Sequence, residues 1–115
     1  MPTPAELARE AEILRLAGEA IRIVIQAAPP TIDVEALTHD LDALPAVTDV
    51  HDVHVWTLTS GMEVASTHMA VHDGVEPAAV LARAREILAD RYGLEHATIQ
   101  VEPVQGQGRC SELSW

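Results

Sequence analysis

Val47-Thr-Asp-Val-His-Asp-Val-His-Val-Trp-Thr-Leu-Thr59 is where the chain changes its hydrophobic period. Before it, apolar residues recur every three or four positions. From Val47 onward they alternate, with Val53, Val55 and Thr57 on one face of a strand and His54, Trp56 and Leu58 on the other. Ser60-Gly61 is a turn signal, and a second alternating run, 63–72, follows it. Asp73-Gly74 breaks that run. Residues 76–92 return to a helical period, with Val80, Leu81, Ala84, Ile87 and Leu88 as the buried stripe and Gly93 as a C-terminal cap. His96 to Pro103 alternates again and forms the last strand.

Upstream, residues 5–27 read as a helix with Pro4 near its first turn and one apolar stripe, Leu14, Ala17, Ile21, Val24 and Ile25, stopped by Pro29-Pro30. Asp33 is placed to cap a second helix carrying Val34, Leu37, Leu41 and Leu44, which ends at Pro45. The order is helix, helix, strand, strand, helix, strand. A split β-α-β arrangement closes it most economically: an α+β domain with one three-stranded sheet and helices on one face. Three segments are expected: an N-terminal helix and linker over 1–30, the domain over 31–104, and a flexible tail over 105–115.

Composition narrows the function. Seven basic and 18 acidic residues leave a formal charge of −11, which argues against nucleic acid and against an anionic membrane surface. The most apolar run, Ile21 to Ala28, contains Arg22 and Gln26 and is too short for a membrane helix, so no direct membrane insertion is expected. One cysteine, Cys110, rules out an internal disulfide framework and fits a reducing compartment. It reads as a free thiol in the tail, with a soft ligand reaching back as the alternative. Neither a Gly-x-Ser-x-Gly elbow, a Gly-rich phosphate loop nor a Cys-x-x-Cys pair occurs, so the chain is not expected to be an enzyme.

Six histidines in 115 residues is the more informative count. If Met69, Val71, Ala97, Ile99 and Val101 face the helices, then His68, His72, His96, Gln100 and Glu102 share the helix-free face. A zinc-type ion takes about four N, S or O ligands, and adjacent strands lie close enough for their side chains to converge on one. His54 has the parity to join them. His51 stands at the strand entrance, where a bulge turns it towards the cluster or away; parity alone does not decide which of the two lies beside His68. Asp52 is either a ligand or an acceptor that orients an imidazole. His39 reads as solvated surface, His72 as strand-edge decoration and Trp56 as a packing or dimer-contact residue.

His51-Asp-Val-His-Val-Trp-Thr-Leu-Thr-Ser-Gly61 closely resembles the signature of the cytoplasmic domain of cation diffusion facilitators. Glu19 to Asp33 is similar to the segment leading out of their last transmembrane helix, and Thr67-His68 and Leu94 to Glu102 match their later strands, so the resemblance runs collinearly over about residues 13–104. It implies a ferredoxin-like (metallochaperone-like) fold with an extra N-terminal helix and a mixed sheet. It also implies V-shaped homodimers in the cytoplasm, divalent cations bound at and near the dimer interface, and closure of the dimer by metal to regulate a membrane cation transporter. The ligands it implies are His51, His68 and Glu102; strand parity alone adds His96 and His54 as further candidates. Gln100 stands where some members carry His, which implies a weakened or missing site. Zn2+ is the expected ion, with Cd2+, Co2+, Ni2+ and Cu2+ suited to the same ligand types.

Transporters of that family carry paired His and Asp residues inside membrane helices, which are not expected in this sequence, and Pro4 to Glu12 is polar where a transporter would be apolar. The chain is therefore expected to be a stand-alone metal-binding domain, with a fragment of a transporter as the alternative. A second function, structural dimerisation without physiological metal, competes with metal binding, and a zinc-dependent hydrolase is the weakest of the three. Imidazole ligands predict metal binding that weakens below about pH 6.

Overall fold

A computed structural model describes residues 1–104. The tail 105–115, expected to be flexible, and Cys110 within it lie outside the described residues. The elements are α1 (Pro4–Val24), α2 (Val34–Asp42), β1 (Val47–Thr59), β2 (Met62–Val71), α3 (Pro77–Tyr92) and β3 (His96–Pro103). The sheet order is β1-β2-β3; β1 and β2 form an antiparallel hairpin, and β3 runs parallel to β2 after the α3 crossover. The sheet is therefore mixed, as expected.

Local signals explain where the helices begin and end. Thr3 and Glu6 form a reciprocal capping box at α1, with Glu6 N–H donating to Thr3 Oγ1 at 3.2 Å and Thr3 N–H donating to Glu6 Oε2 at 2.7 Å. That donation holds the Glu6 carboxyl below its usual range. The helix stops three residues short of the expected Ala27, because Gln26 turns left-handed at φ 55° and the Arg22 guanidinium donates to Ala28 O at 2.7 Å. Asp33 caps α2 as expected, accepting from Ala36 N–H at 3.0 Å. Gly93 ends α3 at φ 67°.

Leu37 and Leu41 of α2, Met69 of β2, Leu88 of α3 and Leu94 are each under 2% exposed and centre the core. Val55, Ala65 and Val71 join them from the same sheet face, with Ala97, Ile99 and Val101 of β3 packed at the margin. Burying each such Leu side chain contributes about 1.5–3 kcal/mol towards holding α2 and α3 against the sheet. Tyr92 O–H donates to Asp40 Oδ2 at 2.6 Å and Arg91 pairs with the same oxygen at 3.2 Å, tying the end of α3 to α2. The α1 stripe behaves differently: no residue of α1 is buried.

Candidate metal centre

The helix-free face owes its chemistry to register. β1 carries one extra residue between His51, opposite His68, and His54, opposite Ser66. Asp52, inside that interval, is left-handed at φ 50°. His51 and His54 are three residues apart and would otherwise point to opposite faces. The bulge sets both on the open one, and the register puts His51 beside His68.

On β3, Gln100 lies opposite His68 and Glu102 opposite Ala70. The ligand-type atoms of His51, His68 and Glu102 all lie within 4.8 Å of one another. The two rings are 5.3 Å apart, centroid to centroid. Glu102 is the floor of the group, its side chain 7% exposed against 24% for His51 and 29% for His68. Its Oε1 lies 2.8 Å from His68 Nδ1, and its Oε2 lies 3.5 Å from His51 Nε2. Gln100 Nε2–H donates to Oε1 at 3.0 Å.

Asp49, two residues before His51 and on the same face, lies 2.9 Å from His51 Nδ1 through its Oδ2. A carboxylate can only accept, so His51 Nδ1–H donates to it, and Nε2 is turned inward. Nε2 is buried and makes no hydrogen bond, with Glu102 Oε2 as its facing oxygen. A divalent cation between the imidazole nitrogen and the carboxylate would be attracted to both. The spacing fits one: tetrahedral coordination at about 2.0–2.1 Å separates ligand atoms by roughly 3.3 Å. The 2.8 and 3.5 Å pairs bracket that value. Asp52 Oδ2, 4.0 Å from His68 Nδ1, stands at the rim.

The other histidines are not brought to this point. His54 is exposed opposite Ser66, two positions or about 7 Å along β2 from His68. His96 has the right parity but sits opposite Val64, four positions or roughly 13 Å from the Gln100 level. His72 lies just past the end of β2 and is exposed, and His39 is on α2. Sequence reasoning missed Asp49; its i, i+2 spacing to His51 on an alternating strand was the available signal.

Among the described residues, then, the fold and side chains define a small α+β domain with two imidazoles and a buried carboxylate able to hold a metal ion on its open sheet face. A family model for the cytoplasmic domain of cation efflux proteins matches residues 29–104. The chain belongs to that family, the cation diffusion facilitator domains it resembles in sequence. It is 33% identical over 101 residues to a "probable zinc transporter protein" of Dictyostelium discoideum, covering 88% of this chain and 19% of the relative. Against a "probable proton-coupled zinc antiporter" of Mus musculus it is 35% identical over 100 residues, covering 84% and 26%. The chain thus spans about a fifth to a quarter of the length of these relatives. Among solved structures, the metal-bound C-terminal domain of the CzcD transporter from Cuprividus metallidurans matches with a TM-score of 0.59 at 35% identity, covering 62% of this chain and 99% of that one. The ferredoxin-like fold expected from the sequence is the fold of these neighbours. Among the described residues, no helix is long and apolar enough to cross a membrane.

Proposed function

We propose that this chain is a non-enzymatic, cytoplasmic, homodimeric module that binds a divalent transition metal, with zinc the leading ion, and that metal occupancy regulates a cation transporter. His51, His68 and Glu102 are the ligands in this reading. The observation that carries it is the convergence of ligand-type atoms of His51, His68 and the buried Glu102 carboxylate, all within 4.8 Å of one another. Asp49 orients His51 and Gln100 orients Glu102, the supporting contacts that metal ligands usually have. The metal-bound CzcD domain and the zinc transporters among the relatives support the choice of ion. His54 and His96 remain candidates only for a separate or dimer-bridging site, since neither reaches the three-residue group within one chain. A fourth ligand comes from Asp52, from water or from the second protomer.

The test is a zinc titration of chelator-treated protein followed by native mass spectrometry, with His68→Ala as the control. Dimers gaining discrete zinc ions, with occupancy lost in the variant, are the expected result. A dimer that takes up no zinc at micromolar concentration overturns the metal reading and leaves a structural dimerisation domain.

A further inference from the structure

α1 is a 21-residue helix with no buried residue, and its principal contact with the rest of the chain is with β1. Its apolar residues form two rows. Ile13, Leu16, Ala20 and Ile23 make one, and its C-terminal end is already used: Ile23 and Ala27 are half-buried beside the hairpin turn Ser60-Gly61. The other row is Leu7, Ala11, Leu14, Gly18, Ile21 and Ile25, spaced four and three in strict alternation, the seam of a coiled coil. Its large members are open to solvent, with Leu7 at 51%, Leu14 at 72%, Ile21 at 58% and Ile25 at 66% exposure.

We propose that this seam pairs in parallel with the same seam of a second copy, so that α1 adds a metal-independent clasp to the dimer. Flanking charge favours that occupant and that orientation. With Leu7, Leu14 and Ile21 at the d positions, Glu10 falls at g and Arg15 at the next e, the two positions that meet between parallel helices. Each copy's Glu10 then faces Arg15 of the other, whereas an antiparallel pair centred on Leu14 brings the two Arg15 together. Gly18 supplies a separate indication. A Cβ there would meet nothing within 4 Å, so nothing among the described residues calls for glycine at mid-helix, where it weakens the helix. Close approach of a second backbone at that level accounts for it. A membrane surface suits the helix less well: α1 holds Glu6, Glu10, Glu12 and Glu19 against Arg9, Arg15 and Arg22, with no lysine.

The area sets the strength. Four large aliphatic side chains from each copy, at about 60–120 Å2 apiece, bury roughly 500–1,000 Å2 in total. That is below the ~1,200 Å2 of a stable interface, so the seam tightens a dimer that the sheet domain also forms and does not make one alone.

The experiment is sedimentation analysis of the full chain over a dilution series in chelator, so that its outcome is independent of zinc binding. Leu14→Arg is expected to weaken the metal-free dimer at least about tenfold, while Leu16→Arg, on the other row, leaves it within about twofold. In a Cys110→Ser background, Leu14→Cys is expected to yield a disulfide-linked dimer on mild oxidation and Leu16→Cys to yield none. Equal effects of the two arginine variants, no effect of Leu14→Arg, or failure of Leu14→Cys to cross-link overturns the clasp, whatever the zinc titration shows. Unchanged far-ultraviolet circular dichroism of the variants assigns the effect to pairing and not to unfolding.

Discussion

Glu102→Gln is the most incisive single change. The amide keeps the shape and the ability to accept from Gln100 Nε2–H, which donates to Oε1 at 3.0 Å, but it removes the anionic oxygen facing His51 Nε2 at 3.5 Å. The metal-free fold is therefore expected to be little affected, and the metal-bound state strongly. Apparent binding energies of about 10–16 kcal/mol for four-ligand zinc sites apportion to roughly 3 kcal/mol per ligand. Losing one of three protein ligands should thus raise the dissociation constant on the order of 100-fold. At a free zinc concentration 100 times the wild-type dissociation constant, binding stabilises the native protein by about 2.7 kcal/mol; in the variant the same zinc gives about 0.4 kcal/mol. At roughly 4–8 °C per kcal/mol for a domain of this size, Tm is expected to rise about 10–20 °C in the parent and only about 2–3 °C in the variant. Differential scanning calorimetry of chelator-stripped protein, with and without zinc, measures both. An equal zinc-induced rise in the two proteins would refute the assignment of Glu102, and a variant already destabilised without metal would show that the carboxylate serves the fold.

Asp49→Ala removes the oxygen that accepts from His51 Nδ1–H at 2.9 Å and fixes the ring, and zinc affinity by isothermal titration calorimetry is expected to fall about 10–100-fold. Leu41→Ala, at a fully buried site facing the sheet, is expected to cost about 2–5 kcal/mol in urea denaturation without changing metal stoichiometry. The Asp40 carboxyl is held below its usual range by the Tyr92 hydroxyl first and Arg91 second, while burial and then Asp40 push the Tyr92 phenol up to about 12. A depressed acid contributes stability that is full above its unfolded value near 3.9 and is lost as pH falls through the lower folded value. Tyr92→Phe is accordingly expected to flatten the pH dependence of Tm below about pH 4, and an acid limb identical to the parent's would exclude that pair as its source.

Much of the fold was legible because its punctuation is local. Asp33, Gly61 and Gly93 each perform the structural task their residue type suggests, and the change of period at Val47 marks where β1 begins. Parity also sorted the faces of β2 and β3, since Met69 and Val71 are buried in the core while His68 and Gln100 stand on the other side. Two things were out of reach for physical reasons. Parity says which face a side chain takes but not how far along the strand it lies, so His96 shares the face of His68 yet sits at the other end of the pairing. Periodicity likewise marks an apolar stripe without saying what covers it, and the α1 stripe, read like those of α2 and α3, proves to lie outside the core.

Register was the deeper obstacle. β1 slips against β2 at three places, and the middle slip, between His51 and His54, is the one that puts both imidazoles on the same face. Bulges are paid for by backbone geometry, here the left-handed φ of Asp52, a residue type that tolerates it better than most. The third member of the group comes from farther away. β1 and β3 flank β2 on opposite sides and Glu102 lies two positions along from the His51 level, so the backbones carrying them are about 9.5 Å apart across the sheet and roughly 7 Å offset along it. The gap closes because both side chains are long and the residue beneath Glu102 on β2 is Ala70, fully buried and without bulk of its own. A cation held by His51 and Glu102 would therefore link the two edge strands across the central one. Its occupancy would be felt at both margins of the sheet, and this is the property a domain needs if binding one ion is to change how two copies of it sit together.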